Sequence, residues 1–314
     1  MDRLRDEIPP ENIWIITNEF LQQEIRQQLP ELPPQQIIAE PAQRNTAPCI
    51  ALAAEILAQT DEDAILGVFP ADHLILKENR FRDFVRAAFE EAESGGIVVL
   101  GIQPRWAETG YGYIEFPRAT KPGTMESVSV ASFREKPDAT TAKKFVEAGH
   151  FFWNAGMFFW KAETILDLMR HHQPKTATLL AGLPQFENAE FTSKLAEAYP
   201  LCEDISIDYA IIEKAQNVSG IAVDDIGWND VGSWEAVYDL AEKDCNGNAS
   251  RGELIAETSR GNYVDASKTV ALLGVDNLVI VDTPDALLIA NRSKSQDVSR
   301  LVKTLDAQKR EDLL

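Results

Sequence analysis

Along the first hundred residues, short apolar runs alternate with stretches whose apolar positions recur at helical spacing. Residues 12–18 read as a strand and 20–29 as a helix. Residues 36–40 read as a short strand, and 45–59 as a helix with Ile50, Ala53, Ala54 and Leu57 on one face. A strand over 64–69, a helix over 81–93 and a strand over 97–102 continue the series. Such alternation predicts a parallel sheet with helices on both faces.

The middle of the chain departs from that rhythm. Residues 111–116 and 127–135 read as strands of an antiparallel insertion, followed by a helix over 141–148 and a strongly apolar strand over 151–160. Helices over 163–171, 189–198 and 205–215 lead to a strand over 221–225. The composition shifts at Asp244-Cys245-Asn246-Gly247-Asn248. From 251 to 289 short Val/Ile/Leu-rich runs are punctuated at Arg260-Gly261-Asn262, at Gly274-Val275-Asp276-Asn277 and at Thr283-Pro284-Asp285. These predict a small β domain with room for short repeats. Ser295 is expected to cap a last helix with Val298, Leu301, Val302 and Leu305 on one face. The expected organisation is an α/β domain with a mixed sheet over 1–245 and a β-rich domain over 246–314.

Several segments carry chemistry. Asp230, in Gly227-Trp228-Asn229-Asp230-Val231-Gly232, and Asp72, in Pro70-Ala71-Asp72-His73, each follow a strand, where open α/β sheets place ligands. Two carboxylates at one rim suit Mg²⁺, which commonly takes one or two carboxylates plus substrate phosphates; each could equally cap a following helix. Asn45 and Thr46, in Arg44-Asn45-Thr46-Ala47-Pro48, can cap a helix whose free amides face a ligand. Gly112 stands where the backbone either turns tightly or approaches a ligand closely. Glu135 can accept from hydroxyls while Lys136 meets a phosphate, or the two form an exposed ion pair. Asn154 puts one amide into an apolar strand and needs partners. Ser206-Ile207-Asp208-Tyr209 reads as a plain helix start, ahead of Glu213 and Lys214.

Charge narrows the partners. Fifty acidic residues against 30 basic ones give a net charge of −20, which argues against a nucleic acid polymer or an anionic membrane. Phosphate substrates would need local cations such as Arg44, Lys136, Lys214 or bound Mg²⁺. Three scattered cysteines fit a reducing compartment, and no apolar run reaches membrane-spanning length. No signal peptide opens the chain, so a cytoplasmic protein is expected.

Taken in order, RNTAP, FPADH, ETGYGYI, EKP, WNAGMF, SIDYA and GWNDVGSW resemble the mannose-1-phosphate guanylyltransferases, or GDP-mannose pyrophosphorylases, over essentially the whole chain. The resemblance implies a Rossmann-like sugar nucleotidyltransferase fold and a reaction of GTP with mannose 1-phosphate giving GDP-mannose and pyrophosphate. It implies Asp72 and Asp230 as Mg²⁺ ligands, Lys136 on the sugar phosphate, and Glu135 and Asn154 on sugar hydroxyls. Gly112 would approach sugar and ribose, and Asn45 and Thr46 would lie towards guanine. A homodimer is an assembly it admits. Family members open with a strand and a loop of the form G-G-x-G-T-R-L-x-P, which nothing here matches. Residues 1–10 read as the end of the helix after that loop. The chain alone is therefore expected to be poorly soluble or inactive, with the loop encoded upstream. The alternatives are a non-catalytic paralogue that binds sugar nucleotide, and a pyrophosphorylase for another sugar or base.

Overall fold

A computed structural model describes residues 2–313, so the Met1 end of the expected helix terminus lies outside the described residues. The next residues form a 3₁₀ turn, Asp2–Leu4, with Leu4 buried. The chain divides into two compact units, 1–71 with 75–228, and 72–74 with 229–314.

The first unit opens with β1 (Ile15–Asn18) and α1 (Glu19–Gln28), where the Asn18 side chain caps α1 by accepting from the Leu21 amide at 2.8 Å. After β2 (Ile37–Glu40) come α2 (Thr46–Ala58), β3 (Ile65–Val68), α3 (Glu78–Ala92) and β4 (Ile97–Ile102). Parallel β1 and β2, with Ile15 opposite Ile37, form a two-stranded sheet of their own. Then follow β5 (Tyr113–Glu115), β6 (Ser127–Ser129), β7 (Ser132–Arg134), α4 (Ala139–Ala148) and the long β8 (Phe151–Lys161). Three helices, α5 (Ala162–His172), α6 (Pro174–Ala181) and α7 (Phe191–Ala198), precede β9 (Val218–Val223).

Seven of the described strands form one sheet in the order β6-β9-β4-β8-β5-β7, with β3 also on β8. The mixed sheet expected over 1–245 is present, while the parallel pairing predicted from the alternation over the first hundred residues does not hold for β3 and β4 throughout. β8 runs antiparallel to β3, β4 and β5, and in this sheet only β4 and β9 pair in parallel. An 11-residue strand can serve β4 along one edge and β3 and β5 in turn along the other. Its near-continuous apolar run follows from burial on both faces. Phe152, Phe158 and Trp160 join one core with α2 and α5, while Trp153, Ala155, Met157 and Phe159 join another with α3. The strand expected over 127–135 is two strands. Its first part pairs with β9 and its second with β5, so the chain switches neighbours at Val130 and Ala131.

In the second unit, α8 (Trp234–Leu240) is followed by β10 (Ala249–Arg251), β11 (Leu254–Glu257), β12 (Tyr263–Asp265) and β13 (Val270–Leu273). Strands β14 (Leu278–Asp282) and β15 (Leu287–Asn291) precede α9 (Val298–Ala307). The repeats are coils of a parallel β-helix: β10, β12 and β14 stack in parallel, as do β11 and β13. A buried asparagine ladder holds them in register. The Asn262 side chain donates to Asn248 Oδ1 at 3.0 Å and to the Val275 carbonyl at 3.1 Å, and accepts from the Leu278 amide at 2.9 Å. The last turn is fastened to the first helix, with Arg292 lying 3.6 Å over the Tyr238 ring and 3.1 Å from Glu235. Ser295 is buried within a 3₁₀ segment, Arg292–Asp297, whose cap is Asn291; it does not cap α9. Among the described residues no helix is long and apolar enough to cross a membrane.

Candidate active site

The polar break in β8 organises a cluster of polar side chains in the first unit. Along β8 the side chains alternate between two cores, and Asn154 stands on the face of Phe152 and Phe158. Its backbone amide donates to the Gly112 carbonyl at 2.8 Å. β5 pairs antiparallel with β7, Tyr113 opposite Arg134, so continuing the register brings Gly112 opposite Glu135. The approach is close. A Cβ on Gly112 would lie 2.4 Å from Glu135 Oε2, 3.1 Å from Phe133 and 3.2 Å from Asn154 Cβ. No residue larger than glycine fits there without moving Glu135.

Glu135 is the unusual member. Its side chain is only 9% exposed, and Oε2 is buried without a hydrogen-bond partner. Such an acceptor is costly to leave unpaired. Lys136 follows with a left-handed φ of 44°, exposed, its Nζ 3.7 Å from Glu135 Oε1. Burial, then the neighbouring Asp208 and Glu213 carboxylates, push the Glu135 carboxyl up to about 7 against the pull of Lys136.

Those two carboxylates come from a segment that reads in sequence as an ordinary helix. It is a π-helical turn, Asp208–Ile212, in which the Glu213 amide donates to the Asp208 carbonyl at 3.0 Å. Asp208 Oδ1 accepts from Asn154 Nδ2 at 2.8 Å, and Glu213 Oε1 accepts from the Glu135 amide at 3.2 Å. Burial raises the Asp208 carboxyl too. Asp208 and Glu213 are the pocket residues that sequence reasoning took for a cap and a solvated face. The signal that could have found them is the pair of acidic residues five apart, flanking the apolar Ala210-Ile211-Ile212.

Asn45 caps α2, and Thr46 is its first residue. The first amides of α2 are already occupied. Thr46 N donates to Asn45 Oδ1 at 2.9 Å, Ala47 N donates to the Ile205 carbonyl at 3.1 Å, and Pro48 brings no N–H. Thr46 Oγ1 accepts from the Ile207 amide at 2.8 Å, which bolts α2 to the residue before Asp208. The Arg44 guanidinium is held on the Pro200 carbonyl.

The two expected metal ligands lie in the second unit. Leu74 and Asn229 form an isolated antiparallel bridge, with N–H···O distances of 2.8 and 3.0 Å. Continuing that register sets Asp230 across from His73 and diagonal to Asp72. Asp72 is exposed, and His73 Nε2 is 3.9 Å from its Oδ1. A Cβ on Gly232 would come within 2.5 Å of Asp230 Oδ2. Asp230 follows β9 by several residues, in this bridge, and not at the strand's end. Among the described residues no group of three or more His, Cys, Asp or Glu side chains could hold a metal. Two carboxylates fit an ion that takes its remaining ligands from substrate and water.

The Nucleotidyl transferase family model matches residues 6–247. The chain belongs to the nucleotidyl transferase family. A second model, the MannoseP isomerase/GMP-like beta-helix domain, matches residues 252–305. The alginate biosynthesis protein AlgA of Pseudomonas aeruginosa is 38% identical over 88% of this chain and 58% of its own length. A mannose-1-phosphate guanylyltransferase of Klebsiella pneumoniae is 38% identical over 95% of this chain and 64% of its own. The chain thus spans about six-tenths of the length of such curated relatives. A solved structure from Thermus thermophilus, described as a mannose-1-phosphate geranyltransferase, superposes with a TM-score of 0.83 at 29% identity, covering 97% of this chain and 87% of that one. The family membership accords with the mixed α/β sheet and the β-helix that follows it.

Proposed function

We propose that this chain transfers a guanylyl group from GTP to mannose 1-phosphate, giving GDP-mannose and pyrophosphate. The observation that carries the reading is the buried, unpartnered Glu135 Oε2 beside an exposed ammonium, across from a glycine whose missing side chain makes room for that carboxylate. A sugar hydroxyl satisfies the carboxylate oxygen, and the sugar's own phosphate meets Lys136. The sugar phosphate and the guanylyl group named here follow the name of a relative, and GTP as the donor is part of the proposal.

The chemistry asks little of the protein beyond alignment and charge. A phosphate oxygen of the sugar, ionised at neutral pH, forms a bond to the α-phosphorus of the triphosphate. The bond from that phosphorus to the bridging oxygen breaks, and its electron pair leaves with pyrophosphate. No general base or covalent intermediate is needed. Lys136 offsets the charge of the sugar phosphate, while Glu135, Gly112 and Asn154 fix the ring. Asp72 and Asp230 would hold Mg²⁺, which when bound supplies positive charge to the phosphates. Asn45 and Thr46 are assigned to the guanine side in this proposal, although the hydrogen bonds they make are internal.

Incubation of the protein with GTP, mannose 1-phosphate and Mg²⁺, with GDP-mannose followed by anion-exchange chromatography, tests the reading. Product should form when the chain is expressed together with its upstream codons, and there Asp72→Asn and Asp230→Asn should each lower turnover by orders of magnitude with unchanged circular dichroism. Near-normal rates in both variants would remove the metal assignment; no product with any GTP and sugar 1-phosphate pair would remove the function.

A further inference from the structure

Asp208 is more than a helix start. Its carboxylate is held inside the fold, where burial works against its charge. A mere brace between the π-helical turn and β8 could be an asparagine, which makes the same contact without burying an ion. What a carboxylate alone provides is one-way chemistry: ionised, it can only accept. Asn154 is thereby fixed. Its Nδ2 must face Asp208, at 2.8 Å, and its Oδ1 must face the Gly156 amide, at 3.1 Å. Both partners forbid the flipped amide. By inventory, one Nδ2 hydrogen remains for a further acceptor, and Glu135 Oε2 remains for a further donor.

We propose that Asp208 is a positioning residue for the sugar, acting through Asn154, so that one amide N–H and one carboxylate oxygen meet a neighbouring pair of hydroxyls on an aldose 1-phosphate. A vicinal diol gives and takes a hydrogen bond together, and the pocket supplies the complement of each. The inference rests on the sugar-phosphate reading of this pocket given above. Asp208 also contributes to the field at Glu135, along with Glu213 of the same turn and Lys136.

Calorimetric titration with mannose 1-phosphate and, separately, with GTP tests the idea. The Asp208→Asn variant, which leaves the sense of the Asn154 amide to the single Gly156 N–H and replaces its charged acceptor by a neutral one, should raise Kd for mannose 1-phosphate about tenfold or more, the scale of one hydrogen bond to a charged group. Its Kd for GTP should stay unchanged. The pH midpoint of sugar-phosphate binding should move to lower pH, because removing the Asp208 charge eases ionisation of Glu135. A purely structural role would instead weaken mannose 1-phosphate and GTP binding together. If Asp208→Asn folds poorly, the exchanged pair Asn154→Asp with Asp208→Asn restores the internal hydrogen bond. It should recover thermal stability but not sugar affinity, since residue 154 then lacks an N–H. Unchanged Kd in Asp208→Asn, or native affinity in the exchanged pair, would overturn the inference while leaving the function standing. A native protein that binds no mannose 1-phosphate would sink both.

Discussion

Glu135 makes the fold and the function compete, and the competition is measurable. In the unfolded chain its carboxyl titrates at the ordinary 4.5; in the folded pocket it is held up to about 7. Well below pH 4.5 the proton is bound in both states and the group is neutral to stability. As pH rises towards 7 the unfolded chain releases the proton while the pocket retains it, so stability falls, and above 7 the whole cost is present. That span of proton affinity corresponds to about 3 kcal/mol as a ceiling. Water around the exposed Lys136 screens it, so about 1–2 kcal/mol is the expected size. The Glu135→Gln variant keeps the shape and cannot ionise. Its melting temperature should match the native protein near pH 4.5 and exceed it at pH 8 by about 2–8 °C, with two-unit unfolding followed by calorimetry. Its affinity for mannose 1-phosphate should fall increasingly below that of the native protein over the same pH range. A gap that fails to widen between pH 5 and pH 8, or a less stable variant at pH 8, would refute the argument.

Gly112→Ala places a methyl 2.4 Å from Glu135 Oε2. It should cost about 1–3 kcal/mol of stability and raise KM for the sugar phosphate with little change for GTP, as steady-state kinetics would register. Asn262→Ala strips the β-helix of the side chain that joins Asn248, Val275 and Leu278. A loss of about 2–4 kcal/mol in the second unit is expected, with faster hydrogen exchange at the Leu278 amide; protection equal to the native protein would count against the ladder.

The site was legible where a residue type and its neighbours in sequence carry the chemistry, and obscure where it depends on a distant partner. Glu135, Lys136, Gly112 and Asn154 announce themselves as a charge pair, a glycine and a lone amide in an apolar strand, and they do converge. Nothing local distinguishes Asp208 from a capping aspartate, because its partner Asn154 lies on β8 and the π-helical turn leaves no periodicity of its own. Strand positions were read well, as with 97–102, yet strand direction was not. The alternation of β and α over the first hundred residues is compatible with either sense of pairing, and the antiparallel pairs made by β8, by β5 with β7 and by β6 with β9, all involving strands later in the chain, make the sheet mixed. α6 was missed because Gln173 gives it no side-chain cap and eight residues are too few to establish a stripe. Short repeats were expected in the β domain, but their β-helical form was not read, because coils of about 14–16 residues share little beyond Asn248 and Asn262.

A stack of coils ordinarily frays from its free end, each coil resting only on its neighbour. In the second unit the far end is buckled to the near one, since Arg292 lies on Tyr238 and pairs with Glu235 of α8. The clasp turns an open spring into a closed link, in which loosening the final coil means also releasing the first helix. Melting of this unit should accordingly be a single sharp event, and Arg292→Ala should broaden its calorimetric transition into a graded one. An unchanged peak width would show that the coils hold together without the buckle. With the buckle in place, strain on the carboxyl-terminal helix reaches α8 directly, across a closed loop of chain, without passing coil by coil through the stack.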